Sequence, residues 1–161
     1  MEFHAGEPVM HWMHGLGTII RREKRDLFGK ATLFYAVKVA DLTIWVPADE
    51  HLMERLRPPT PKARFKRILA ELSTPGETLP QDRHERKLLL VELLRDGRAE
   101  SLVRVIRLLT AYKKVHSLND NDHNQLRRAE NCLTAEWGQV LSVTPLQAEI
   151  ELHQRLASLP A

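Results

Sequence analysis

Cysteine is almost missing from this chain of 161 residues: Cys132 stands alone, so no internal disulfide framework braces the fold, and a reducing, cytoplasmic setting is expected. No apolar run approaches the roughly 20 residues that span a bilayer, so no membrane partner is expected. The start, Met1-Glu2-Phe3-His4, has neither the basic nor the apolar region of a secretory signal. There is no Gly-rich loop of the P-loop or dinucleotide-binding pattern, no Gly-x-Ser-x-Gly elbow, and no conspicuous carboxylate pair. Nothing in the sequence therefore points to an enzyme or to a cofactor.

Histidine is the one metal-ligand type that clusters, at His4, His11 and His14. A zinc site needs three or four ligands, and no Glu accompanies the His-x-x-His pair as in a metalloprotease. These residues read as turn and strand histidines packed by Trp12, with no metal. Cys132 lies beside the apolar positions Leu126, Ala129 and Leu133, where cysteine acts as a small hydrophobe. With no basic residue adjacent to it in sequence, it is not a candidate nucleophile.

Charge is present but uneven. The net charge is +3, yet residues 1–59 carry 8 basic and 8 acidic side chains, residues 60–115 carry 13 and 7, and residues 116–161 carry 3 and 6. A phosphate-facing surface, if the chain has one, belongs in the middle stretch, where a merely solvated helical face is the competing reading.

The first stretch, Phe3 to Pro47, holds short β-branched and aromatic runs separated by Gly or Asp turns: Val9 to Met13, Leu16 to Arg22, Leu33 to Ala40, and Thr43 to Pro47. Gly6, Gly15 and Gly17 read as tight-turn residues, and Phe28-Gly29-Lys30 as a further turn. A small, bent antiparallel sheet or open barrel follows. Pro47 to Pro61 reads as an exit segment, and the cluster Pro58, Pro59 and Pro61 marks a domain boundary near Pro59.

Beyond it the spacing predicts a helical bundle over 60–161. The first helix runs from Lys62 to Leu72, with Thr60 as N-cap, Pro61 opening it, and Phe65, Ile68, Leu69 and Leu72 inward. Asp82 to Arg95 has a polar, exposed start and an apolar density that predicts burial of its C-terminal end. Arg98 to Lys114 follows after an Asp96-Gly97 stop. Asn119 with Asp122 has the layout of a capping box for a helix to Leu141, and Thr144-Pro145 opens the last helix. The fold class is α+β: a β-module at 1–59 followed by an all-α domain at 60–161.

Phe3-x-x-Gly6-Glu7-x-Val9, then His14-Gly15-Leu16-Gly17 with its neighbour His11, a basic strand, a Gly turn, an aromatic strand and a Val46-Pro47 stop resemble the CarD/CdnL family of bacterial transcription regulators. The same module occurs as the polymerase-interacting domain of the transcription-repair coupling factor. The likeness covers Phe3 to Pro58 and continues more loosely through the helices, where Gln125-Leu126-Arg127-Arg128-Ala129 carries part of it.

The resemblance implies a Tudor-like N-terminal module that docks on the RNA polymerase β subunit by strand addition. The matching contacts are Arg25 and the strand positions Thr43, Ile44 and Trp45. Many relatives carry Arg where Trp45 stands, so this contact would be apolar, although Trp45 reads equally well as a core residue. The resemblance also implies promoter DNA contact at the upstream edge of the bubble, made in many relatives by a Trp wedge. Arg83 occupies that position, and Arg83, Arg86 and Lys87 are the candidate DNA contacts, with Arg127 and Arg128 as a second patch. The implied function is to bind polymerase and promoter DNA and stabilise the open complex, as a monomer held at the nucleoid through polymerase. A polymerase-binding adaptor without wedge activity is the alternative.

Overall fold

The computed structural model describes residues 2–159, apart from the side chain of Leu27. They fall into two compact units, the first ending at Pro59 and the second beginning at Thr60.

The first unit is a five-stranded antiparallel sheet built from β1 (Pro8–His11), β2 (Gly15–Leu27), β3 (Lys30–Val39), β4 (Leu42–Pro47) and β5 (Leu56–Arg57), in the order β4-β3-β2-β1-β5. Gly15 opens β2 with a φ of +79°, which a residue bearing Cβ adopts at a cost. Gly17 is needed for another reason. A Cβ there would lie 2.8 Å from the side chains of Val37 and Val39, so its role is close approach of β3 and not the turn itself. One face of the sheet buries Phe3, Val9, Ile19, Tyr35, Val37, Val39 and Val46, closed by Leu52 and Leu56. Those last two residues belong to α1 (Leu52–Arg55) and β5, which give the supposed exit segment structure of its own. Asp49 holds that segment, accepting from the backbone N–H of His51 and from Arg55 Nη1 at 2.7 Å.

The second unit packs α2 (Lys62–Ala70), α3 (Arg83–Leu94), α4 (Ala99–Val115), α5 (Asp120–Leu141) and α6 (Pro145–Ala157) around one core. A 3-10 turn, Glu71–Ser73, follows α2 and buries Leu72. Phe65, Leu90, Ile106, Leu109, Leu133, Trp137 and Leu152 are at most 1% exposed, and Phe65 meets Trp137 edge to face at 6.4 Å. Cys132 is buried in the same core. The predicted capping box at Asn119/Asp122 is present, and the start at Thr144-Pro145 forms a second one, with Gln147.

Two helical expectations need correction. The N-cap of α2 is Pro61, one residue later than predicted, and Thr60 makes no cap. Its backbone N–H and hydroxyl both donate instead to Glu136 Oε2, at 2.8 and 2.7 Å, where the fully buried carboxylate draws them inward. In α3 the C-terminal half is not wholly buried: Leu90 and Leu94 face the core four residues apart, while Leu88 and Val91 are about half exposed.

Candidate functional site

In the β-unit, β4 lies at the end of the strand order, so one side of it is an open edge among the described residues. Thr43 is exposed there, and Ile44 and Trp45 are half-buried. In the ladder Trp45 stands opposite Ala36, which stands opposite Arg21 on β2. The indole lies on the outer face, away from the main core. Arg25 stacks on it with its guanidinium carbon 3.8 Å from the ring centroid, and Arg21 lies over it at 5.4 Å.

Glu23 completes the arrangement. Its two carboxylate oxygens meet Arg21 Nε at 3.2 Å and Arg25 Nε at 3.5 Å, so Arg21, Glu23 and Arg25 form a ladder along one face of β2. These pairs are exposed and each contributes about 0–1 kcal/mol, but they orient the guanidinium groups over Trp45. Arg25 and Trp45, named from the sequence as separate contacts, thus form one cationic-aromatic feature beside a free strand edge. Arg21 was missed, though counting back from Arg25 by twos along the strand arrives at it.

The histidines do not gather into a ligand set. His4 Nδ1 pairs with Glu7 Oε1 at 3.0 Å. His11 Nδ1 accepts the backbone N–H groups of Met13 and His14, each at 3.1 Å, and so closes the β1–β2 turn. Burial, and then the neighbouring His14, lower the pKa of His11 to about 4, and two accepted bonds at Nδ1 require the neutral ring with its proton on Nε2. Among the described residues no group of three or more His, Cys, Asp or Glu side chains could hold a metal ion.

In the helical unit, the side chain of Asp82 caps α3 by accepting from the N–H of Glu85 at 3.0 Å. Arg83 and Lys87 are exposed and lie one turn apart on the same face. Arg86 does not share that surface, which corrects the expectation that the whole polar start of the helix is exposed. It is 4% exposed and forks onto Asp122 with Nε 3.1 Å from both carboxylate oxygens and Nη2 at 3.0 Å. Its Nη1 also donates to the carbonyls of Pro80 and Gln81 and to Tyr112 Oη. These bonds to Asp122, which also closes the capping box of α5, raise its pKa further. Arg86 is a staple joining the 80–81 loop, α3, α4 and α5.

On α5 Arg127 is exposed and Arg128 half-buried. The charge of Arg127 reaches Glu130, as do those of His153, Lys113 and Glu149, while burial is the main influence and raises the pKa of Glu130. Arg127 therefore sits in a mixed-sign setting. None of the three tryptophans lies on α3: Trp12 and Trp45 belong to the β-unit and Trp137 to the helical core.

No described helix is long and apolar enough to cross a membrane. No family model matches the chain. It is similar, at 24% identity over 150 residues, to a protein of Bacillus subtilis (strain 168) named "Putative transcription factor YdeB", and the similarity spans 90% of this chain and 96% of that protein.

Proposed function

We propose that this protein is a transcription regulator of the CarD/CdnL type, whose Tudor-like β-unit docks on the RNA polymerase β subunit and whose helical unit contacts promoter DNA, stabilising the open complex. The observation that carries the reading is the Arg25–Trp45 stack beside the free edge of β4. An exposed edge offers unpaired backbone groups to a partner's strand, and an indole capped by a guanidinium supplies the side-chain anchor such a junction needs. The near full-length similarity to a protein named as a transcription factor supports the same class of activity.

The mechanism needs no chemistry. A factor that binds the melted promoter complex about 1.4 kcal/mol more tightly than the closed one shifts their ratio roughly tenfold. Docking on polymerase supplies a high local concentration, so weak DNA contact through Arg83 and Lys87 suffices. Arg86 takes no part, because its guanidinium is consumed by Asp122. An arginine at this helix start engages phosphates or a narrow minor groove without unstacking bases, so the factor props the bubble differently from a Trp wedge.

Binding of the purified chain to the isolated β-subunit lobe is the deciding experiment. Saturable binding that weakens more than tenfold in Arg25→Glu and Trp45→Ala is expected; no binding by the unaltered protein overturns the reading. The absence of any tryptophan on α3 favours a second reading, an adaptor that holds polymerase without touching DNA. Arg83→Ala/Lys87→Ala separates the two: promoter complexes dissociate faster if these residues contact DNA, and at an unchanged rate if they do not.

A further inference from the structure

The β2–β3 ribbon outruns the rest of its sheet. β4 pairs with β3 only from Phe34 to Val39, and β1 pairs with β2 only from Gly15 to Thr18, whereas β2 and β3 stay paired out to Leu27 opposite Lys30. Residues 24–33 are thus a two-stranded arm with no third strand beside it among the described residues; at its base the Leu33 carbonyl accepts the N–H of Ala48. Its tip is the two-residue turn Phe28-Gly29, with φ values of +52° and +76°. Positive φ at both positions defines the hairpin turn in which Asn-Gly is favoured. Gly29 is at ease there; a bulky ring at Phe28 is strained.

Phe28 is also fully exposed, at 103% of its reference area. Neither the turn nor the core calls for an aromatic at this position, which leaves a partner's surface as its counterpart. The flanking charge says what kind of partner. Within residues 24–33 the basic side chains Lys24, Arg25 and Lys30 outnumber the one acid, Asp26; Arg25 is held by Glu23 and Trp45, whereas Lys24 and Lys30 have no ion-pair partner among the described residues. A flat apolar ring leading a narrow cationic ribbon matches a stacked base between phosphates: a two-stranded ribbon fits a DNA groove, and Phe is among the side chains that wedge between base steps.

We propose that this arm is a nucleic-acid-binding element in its own right. Phe28 stacks on a base at an opened step of duplex DNA, and Lys24 and Lys30 hold the flanking phosphates. The arm is independent of the contact assigned to Arg83 and Lys87.

The test is fluorescence anisotropy of the full chain with a labelled duplex of about 20 base pairs at several salt concentrations, in both the unaltered and the Arg83→Ala/Lys87→Ala backgrounds. Phe28→Asn weakens binding about tenfold in either background, equivalent to about 1.4 kcal/mol for a lost stack. Its thermal midpoint is unchanged or higher, since Asn suits the turn. Phe28→Trp retains binding. Lys24→Ala/Lys30→Ala lowers the slope of log affinity against log salt by up to about 2. The proposal is overturned if Phe28→Asn binds the duplex as well as the parent. It is equally overturned if the loss appears only with a single-stranded oligonucleotide or with the polymerase β lobe, which would assign the tip to that partner.

Discussion

Arg83, Arg86 and Lys87 are three basic residues within five positions, yet the fold gives them two different surroundings. Arg86→Ala strands the buried Asp122 carboxylate and releases two loop carbonyls, and the expected cost to the helical unit is about 3–5 kcal/mol, read as a lower thermal midpoint. Arg83→Ala/Lys87→Ala should leave that midpoint within about 0.5 kcal/mol of the parent. Stepping back four residues at a time from Leu94 through Leu90 arrives at Arg86, so its inward direction was legible in the sequence. Its partner was not, because Asp122 is 36 positions away. His11 makes a pH-dependent contribution of the opposite origin. Its folded pKa of about 4 lies below the unfolded value of 6.5, so the unfolded chain takes up the proton first. The stabilisation is whole above pH 6.5 and is lost as pH falls toward 4, on the order of 3 kcal/mol at most. An acid titration of the β-unit's near-UV signal checks this. His11→Asn, whose side-chain oxygen can accept the same two N–H groups, should flatten the dependence.

At the scale of elements, the helices were the more legible half, because caps and apolar spacing are local: the Asn119/Asp122 capping box, the Thr144-Pro145 helix start and the inward Phe65, Ile68, Leu69 and Leu72 stand as read. β2 shows why the sheet was harder. Strict alternation from the buried Ile19 would place Arg21, Glu23 and Arg25 on the core face. A bulge between Ile19 and Arg21 breaks the parity and sends all three to the Trp45 side. No local pattern announces such a bulge, which is also why Trp45 could be read as core or surface. The α1–β5 segment was likewise hidden, its structure resting on Asp49, Arg55 and a two-residue strand paired with β1. Thr60 offers a test of what replaced the predicted cap. Thr60→Val keeps the N–H to Glu136 but removes the hydroxyl, and should cost the helical unit about 1–3 kcal/mol with no change in the β-unit. Separate unfolding transitions for the two units would register the difference.

Across the whole molecule, the division after Pro59 falls within the proline cluster Pro58, Pro59 and Pro61, and each unit closes its own core. The proposed function rests on spaced motifs, of which Phe3, Val9 and Val46 lie in the core of the β-unit; an edge strand and two exposed cations leave no composition signature. The tryptophans are divided between the units, with Trp12 and Trp45 in one and Trp137 at 1% exposure in the other. Trp137→Phe therefore leaves emission that follows the β-unit alone, and Trp12→Phe/Trp45→Phe leaves emission that follows the helical core; loss of the two signals at different denaturant concentrations is the expected result. The Arg25–Trp45 stack takes this further. In a Trp12→Phe/Trp137→Phe background the chain is its own fluorophore: a ligand seated on that face exchanges the water and guanidinium around the indole for its own atoms. A shift in colour then counts bound molecules without a label.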